Sequence, residues 1–457
     1  MKIKKPWLTA IVLLSLTFNL SSQGSYIHRG YLGWLIDLSR TGTNDEWPSI
    51  SIDSALIDDY VDAIDFLQRD GFNEITIWGL FTNKFWEPEV DKTIDAKRKV
   101  LVNDIISRAH QRKLKVLCGM GIYSWGFDKI ISQDPSVKCT CNPEVMDYFQ
   151  PRSWEWQQKV LDWVMDNFEF DGTSLQSADR GRCKCGASAQ YSDLQYNALL
   201  IQKTVRYIRM KKSNYIIGIS GWGMDFRNPD DITTVKEMTE NVDYLIDVGE
   251  SALLPGKNYR RQLIETIAPC KYGNTAVPNI EPIQALPRNL YFVPTVYHAG
   301  KKLKAQYEDG GRACEAYART RGNPGDEVTG EVIGKILKDP SADITKLLKE
   351  TIEFIYRPAD NKTTSKLAVL FKEAEESFFD NIPDEGFDRN IILLMPREQQ
   401  IPQSTYLKLM QPSAREKYKK TMEKIHSQLL EIKHRMGNSE KTELLIQCIE
   451  NVINEIN

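Results

Sequence analysis

Four side chains able to do chemistry stand within seven residues of one another in "SADRGRCKCG": Asp179, Arg180, Cys183 and Cys185. A carboxylate beside a guanidinium can take or hold a proton, and the cation favours the ionised form of Asp179. Two thiols spaced C-x-C can cross-link or bind a soft metal. A second C-x-C pair, Cys139 and Cys141, lies upstream in "KCTCNP". The two pairs follow neighbouring β-rich segments, which predicts that their loops lie side by side. In an exported chain the leading expectation is one or two disulfides between the loops. A structural zinc ion held by the four thiolates is the alternative.

Those residues need a scaffold to position them. From Tyr31 to about His298, short β-rich runs alternate with amphipathic helices. The runs include "GYLGWLIDL", "EITIWGLF", "LKVLCGMGIYS", "FDGTSLQSA", "NYIIGISGWG" and "VDYLIDVGES", with a seventh between Arg260 and Ile283 and "NLYFVPTVYH" as the eighth. The first helix carries Leu56, Ile57, Tyr60, Val61, Ile64 and Leu67 at the spacing of one buried stripe. Strands that are apolar on both faces and separated by helices imply a parallel sheet covered by helices. Eight such units predict the α/β class, a (β/α)8 TIM-like barrel. A doubly wound open sheet is the competitor, but "IDLSRTGTNDEW" after the first strand lacks a glycine-rich phosphate loop.

After about Gly325 the β-rich runs stop. Helical patterns break at Asp339-Pro340, Arg357-Pro358 and Gly437-Asn438-Ser439, which predicts an all-α C-terminal domain packed on the barrel. The N-terminus "MKIKKPWLTAIVLLSLTFNLSSQG" has a basic start and a short apolar run followed by small residues, the pattern of a secretory signal peptide. The expected division is residues 1–24 as signal, 25–325 as barrel and 326–457 as helical domain. Export to the periplasm or the extracellular space follows, with no membrane span once the signal is removed. The formal net charge is -3 and no long basic run precedes the C-terminal helices, so no nucleic-acid partner is expected. Nothing in the sequence indicates an oligomeric state.

Active sites of such barrels lie at the C-terminal ends of the strands. Gathering those ends yields Asp37, Trp78, Tyr123, Trp125, Asp128, Gln176, Asp179, Arg180, Trp222, Asp225, Asp247, Glu250, Tyr297 and His298. Carboxylates from several strands can supply the acid and the nucleophile or base of glycosidic cleavage. The aromatic rings offer apolar platforms to the C–H faces of a sugar. The five His form no H-E-x-x-H motif, so a catalytic metal is not expected, and no cofactor is required.

"DGTSLQSADRGRCKCGA" resembles the fourth-strand exit of a group of barrel glycoside hydrolases: the α-glucuronidases, the β-N-acetylhexosaminidases and their bacterial relatives with a C-terminal helical domain. "EVTGEVIGKILKDPSADITKLLKETIEFIYRP" resembles the helical domain that follows the barrel in these enzymes, and the similarity spans Tyr31 to Asp380. It implies glycan hydrolysis, with Asp179 at the position of the fourth-strand acid. Two departures qualify it. The hexosaminidases carry an adjacent Asp-Glu pair where this chain has Ala178-Asp179-Arg180, and the α-glucuronidases carry a Glu where Arg180 stands. Glu250 or Asp247 therefore becomes a candidate general acid, with Asp179 and Glu250 as the expected working pair. The alternatives are a polysaccharide lyase, with Tyr297, His298 or Tyr123 as base and Arg180 holding a uronate, and an inactive carbohydrate-binding barrel.

Overall fold

A computed structural model describes residues 24–34, 54–78, 86–178, 180–226, 228–247, 256–276, 291–317, 323–381 and 410–456. Eight strands form it: β1 (His28–Trp34), β2 (Glu74–Trp78), β3 (Lys115–Gly121), β4 (Gly172–Gln176), β5 (Ile216–Ser220), β6 (Tyr244–Asp247), β7 (Lys271–Ala276) and β8 (Ala313–Tyr317). All pair in parallel and in chain order, and β1 closes on β8 through Gly30↔Glu315 while pairing β2 through Gly30↔Glu74. The closed cylinder rules out the doubly wound sheet.

The helices that cover it are α1 (Ser54–Asp70), α2 (Ala96–Gln111), a short α3 (Asp128–Gln133), α4 (Pro151–Asn167), α5 (Asp193–Lys211), α6 (Ile232–Met238), α7 (Gly256–Ile267), α8 (Val296–Glu308) and α9 (Pro324–Lys338). Each buries an apolar stripe, as α1 does with Ile57, Tyr60, Ile64 and Leu67. Ser192 and Gln195 start α5 with a capping box, each side chain accepting a hydrogen bond from the other's backbone N–H. Beyond α9 come α10 (Ile344–Tyr356), α11 (Asn361–Asn381), α12 (Pro412–Ile432) and α13 (Ser439–Ile456), packed on one another and on α8 and α9. No helix among the described residues is long and apolar enough to cross a membrane.

Two expectations need revision. "NLYFVPTVYH" is not the eighth strand: Phe292 packs its ring 4.8 Å from that of Phe371 on α11, and Tyr297 and His298 lie in the first turn of α8. The run is apolar because helices bury it, and periodicity alone cannot tell that burial from a sheet's. The eighth strand is "ACEAY", hidden by its small residues and a central glutamate. Helix α9 packs on α1 and α8 and against β1 and β8, where the eighth barrel helix belongs, so a boundary at 325/326 would cut it.

The lumen is filled by rings lying over neighbouring glycines. A Cβ on Gly119 would sit 2.3 Å from the Trp78 indole, and one on Gly218 would sit 2.3 Å from the Tyr244 ring. Glycine on β3 and β5 is what lets the rings of β2 and β6 cross the barrel axis.

Candidate active site at the barrel mouth

Strand β3 ends against the turn that follows it. A Cβ on Gly121 would meet Trp125 at 2.4 Å, and the turn passes through positive φ at Tyr123 (59°) and Gly126 (85°). This turn brings Trp125 to the rim beside the exit of β4. There the Arg180 guanidinium lies 4.9 Å from the centre of the Trp125 ring, and its Nη1 donates to Asp128 Oδ1 at 2.6 Å. Glu144 stands 3.6 Å from the same nitrogen. Across the mouth, Trp222 packs on the lumen residues Leu117, Tyr244, Ile246 and Ala313. Its loop touches the β4 exit: a Cβ on Gly223 (φ 76°) would come within 2.8 Å of the Ala178 carbonyl oxygen. Trp78 and Gln176 close the floor as the last residues of β2 and β4, both buried, and Asp225 is exposed on the β5 loop. The bowl at the ends of β3 and β4 thus carries an indole against a paired guanidinium, with Trp78 and Gln176 at the ends of β2 and β4 and Trp222 beyond the end of β5.

The long β4–α5 connection is organised by Arg182, a buried guanidinium. Its Nε donates to Asp193 Oδ1 (2.6 Å), Nη1 to the carbonyls of Cys183 (2.7 Å) and Ser188 (3.1 Å), and Nη2 to that of Tyr191 (2.6 Å). One side chain therefore ties together three carbonyls of this connection. Next to it the thiols of Cys139, Cys141, Cys183 and Cys185 all lie within 4.8 Å of one another. Hydrogen bonds, the largest from Thr140, lower the Cys185 thiol to about 6, whereas burial raises those of Cys139 and Cys183. The expected disulfides are not formed. No two of these four thiols are bonded, and their contacts of 3.3, 3.4 and 3.6 Å far exceed a bond of about 2.05 Å.

Several expected site residues lie elsewhere. Asp37, Asp179 and Glu250 fall outside the described residues. Asp247 does not join the bowl. Along β6, Tyr244 and Ile246 enter the lumen cluster, so alternation turns Asp247 to the opposite face. There its fully buried carboxylate accepts from the Tyr272 hydroxyl at 2.8 Å. Tyr123 is withdrawn as a platform. Its backbone N–H donates to Gln157, and its ring packs 5.9 Å from that of Tyr148, behind the β3 loop. Tyr297 and His298 cap α8, their backbone N–H groups donating to the Glu375 carboxylate at 2.9 and 2.5 Å, and the His298 ring stacks on Phe379.

One polar group within the barrel escaped the sequence reading. Glu315, at the centre of β8, is buried, and its Oε1 accepts from Thr76 Oγ1 and from the Tyr244 hydroxyl, both at 3.0 Å. Burial raises its carboxyl to about 7, with Glu74 adding to the shift. Glu74 in turn bonds His28 Nδ1 at 2.9 Å, and the His28 ring lies 4.6 Å from that of Tyr244. The signal was present as a glutamate flanked by alanines in "ACEAY", but it reads as a strand only once β7 and β1 are in place.

No protein-family model and no curated protein sequence matches the chain. Solved structures do. A Thermobaculum terrenum O-GlcNAc hydrolase variant matches with a TM-score of 0.53 at 9% identity, over 93% of this chain and 81% of its own. A family GH115 4-O-methyl-α-glucuronidase with specificity for decorated arabinogalactans matches with a TM-score of 0.57 at 9% identity, over 94% of this chain. The match covers 54% of that enzyme, so the chain spans about half its length. The fold is that of barrel glycoside hydrolases. At such low identity the likeness extends to the fold alone, and residue roles have to come from this chain.

Proposed function

We propose that the chain is an exported glycoside hydrolase that cleaves a glycosidic bond in a complex glycan. The observation that carries the reading is the rim at the C-terminal ends of the strands, where the Arg180 guanidinium lies over the Trp125 ring and pairs with Asp128. Asp179 and Glu250 are the working pair in this proposal. Each follows the last residue of its strand by three positions, Asp179 after Gln176 and Glu250 after Asp247, on strands separated only by β5. Two carboxyl groups of this kind suffice for acid–base or nucleophilic cleavage, with no cofactor in the reaction. Arg180, adjacent in sequence to Asp179, favours an ionised Asp179 and leaves the acid role to Glu250. Residues 1–24 act as the export signal in this reading, and the catalytic barrel runs through α9 to Lys338, followed by the helical domain.

The lyase alternative has less support, because the Tyr123 ring is buried against Tyr148 and Tyr297 and His298 lie in the first turn of α8 instead of at a strand end. The test is a panel of chromogenic N-acetylhexosaminides and uronides, the sugar types in the names of the two matched enzymes, run on the wild type with D179N and E250Q. Each amide is expected to lower kcat by about 10²-fold or more with an unchanged melting temperature. Full activity in both variants rejects the pair. Unsaturated products would restore the lyase. Glycan binding without cleavage anywhere on the panel would make this a binding barrel.

A further inference from the structure

The β3 and β4 loops meet at the four thiols, and each loop has contacts of its own that brace its pair. On the first, the Cys139 N–H donates to Val145 O at 3.2 Å, Lys138 and Met146 form an antiparallel bridge, and the Glu144 N–H donates to Asn142 Oδ1 at 3.1 Å. On the second, Arg182 holds the Cys183 carbonyl, and Gly181 and Gly186 take positive φ on either side of the pair. Two internally braced turns thus present four sulfurs to one point.

We propose that Cys139, Cys141, Cys183 and Cys185 bind one zinc ion in a tetrahedral all-thiolate site, and that this ion joins the two loops. Zinc–sulfur bonds of about 2.3 Å place the corners of such a tetrahedron about 3.8 Å apart. The closest contacts here are 3.3, 3.4 and 3.6 Å, and no pair exceeds 4.8 Å, so small thiol movements complete the shell. Four sulfurs with no oxygen or nitrogen donor select a soft ion over calcium or magnesium. The outer contacts suit bound thiolates: the Lys184 N–H donates to Cys141 Sγ and the Thr140 hydroxyl meets Cys185 Sγ, both at 3.0 Å. A disulfide would join sulfurs in pairs and leave nothing to explain the convergence of all four.

The ion also reaches the barrel mouth. Asn142, next to Cys141, donates from Nδ2 to the Arg180 carbonyl at 2.9 Å, so the chain that carries Arg180 to Asp128 and Trp125 is tied to the zinc loop. This coupling does not depend on which reaction the barrel performs.

The experiment is metal analysis of the purified full chain, with thiol titration under denaturing conditions in the presence of a chelator. About one zinc per chain and eight free thiols are expected. Replacing zinc with cobalt under reducing conditions should give the sulfur-to-cobalt charge-transfer and tetrahedral ligand-field bands of a thiolate site. The C141S/C185S variant should retain less than about a tenth of the zinc. The wild-type zinc content and cobalt spectrum stand whether or not the variant folds. Failure to take up zinc under reducing conditions overturns the proposal. So does peptide mapping that finds these four cysteines in disulfides, or iron as the resident ion.

Discussion

Two polar clusters in this barrel contain the same kinds of groups and treat charge in opposite ways. In the lumen, Glu315 is sealed between Thr76 and Tyr244, with the Glu74–His28 pair nearby. At the rim, Arg180 and Asp128 form an ion pair whose side chains are 19% and 27% exposed. The lumen offers Glu315 two hydroxyls and no adjacent cation, so burial favours its neutral form and holds the carboxyl near 7. At the rim each group faces its partner and solvent. A dry interior removes the charge by protonation, whereas a wet edge pairs it. The proposed function places its chemistry at the rim because the rim is open to solvent, whereas Glu315 is fully enclosed in the lumen.

The largest expected effect tests whether the lumen is packed as described. Tyr244→Ala removes a ring that fills the space over Gly218 and donates to Glu315, and should cost about 3–5 kcal/mol by denaturant unfolding. Tyr244→Phe should cost about 1 kcal/mol, the hydroxyl's share. A loss for the alanine variant no larger than that for the phenylalanine one would mean the barrel axis is loosely filled.

The next effect sharpens the contrast in charge. The Glu315 carboxyl is raised in the folded state from its usual 4.5 to about 7, so the folded protein holds a proton there that the unfolded chain releases. Stability should therefore fall as the pH rises from about 4.5 through 7, with Glu315 accounting for on the order of 3 kcal/mol. Asp70 and Glu375 are pushed upward by burial as well and act in the same window. The informative measurement is the difference between wild type and E315Q, which should flatten over that range. Parallel pH profiles would show that Glu315 is ionised in the folded protein.

The smallest effect on stability should come from the rim. Asp128→Asn breaks a partly exposed ion pair and should cost less than about 1 kcal/mol in thermal unfolding. It releases Arg180 from its position over Trp125, so KM for a cleaved glycoside should change by more than kcat. A loss of stability matching that of Tyr244→Ala would erase the distinction between the two clusters.

Much of this architecture was legible in the chain. The stripe of Ile57, Tyr60, Ile64 and Leu67 marks α1, and Asp339-Pro340, Arg357-Pro358 and Gly437-Asn438-Ser439 fall between helices as expected. The site was less legible. Period-two alternation from Tyr244 would have turned Asp247 away from the lumen, but a strand of four residues gives that rule little length to work on. Tyr123 is turned aside by a backbone with φ of 59°, a conformation that residue type does not announce outside glycine.

By itself, then, the amino-acid order determined the alternation of strands and helices, the helix breaks and the two C-x-C pairs, because periodicity, turn residues and spacing act over a few residues. The tertiary structure alone decided that "ACEAY" is the eighth strand, that Glu315 lies inside the barrel and that Asp247 points away from it. Those outcomes depend on barrel closure and on contacts between residues 25 to 240 positions apart, such as Tyr272 with Asp247 and Thr76 with Glu315 at sequence separations of 25 and 239. No local pattern encodes them, because the burial that selects each orientation exists only after the strands have closed.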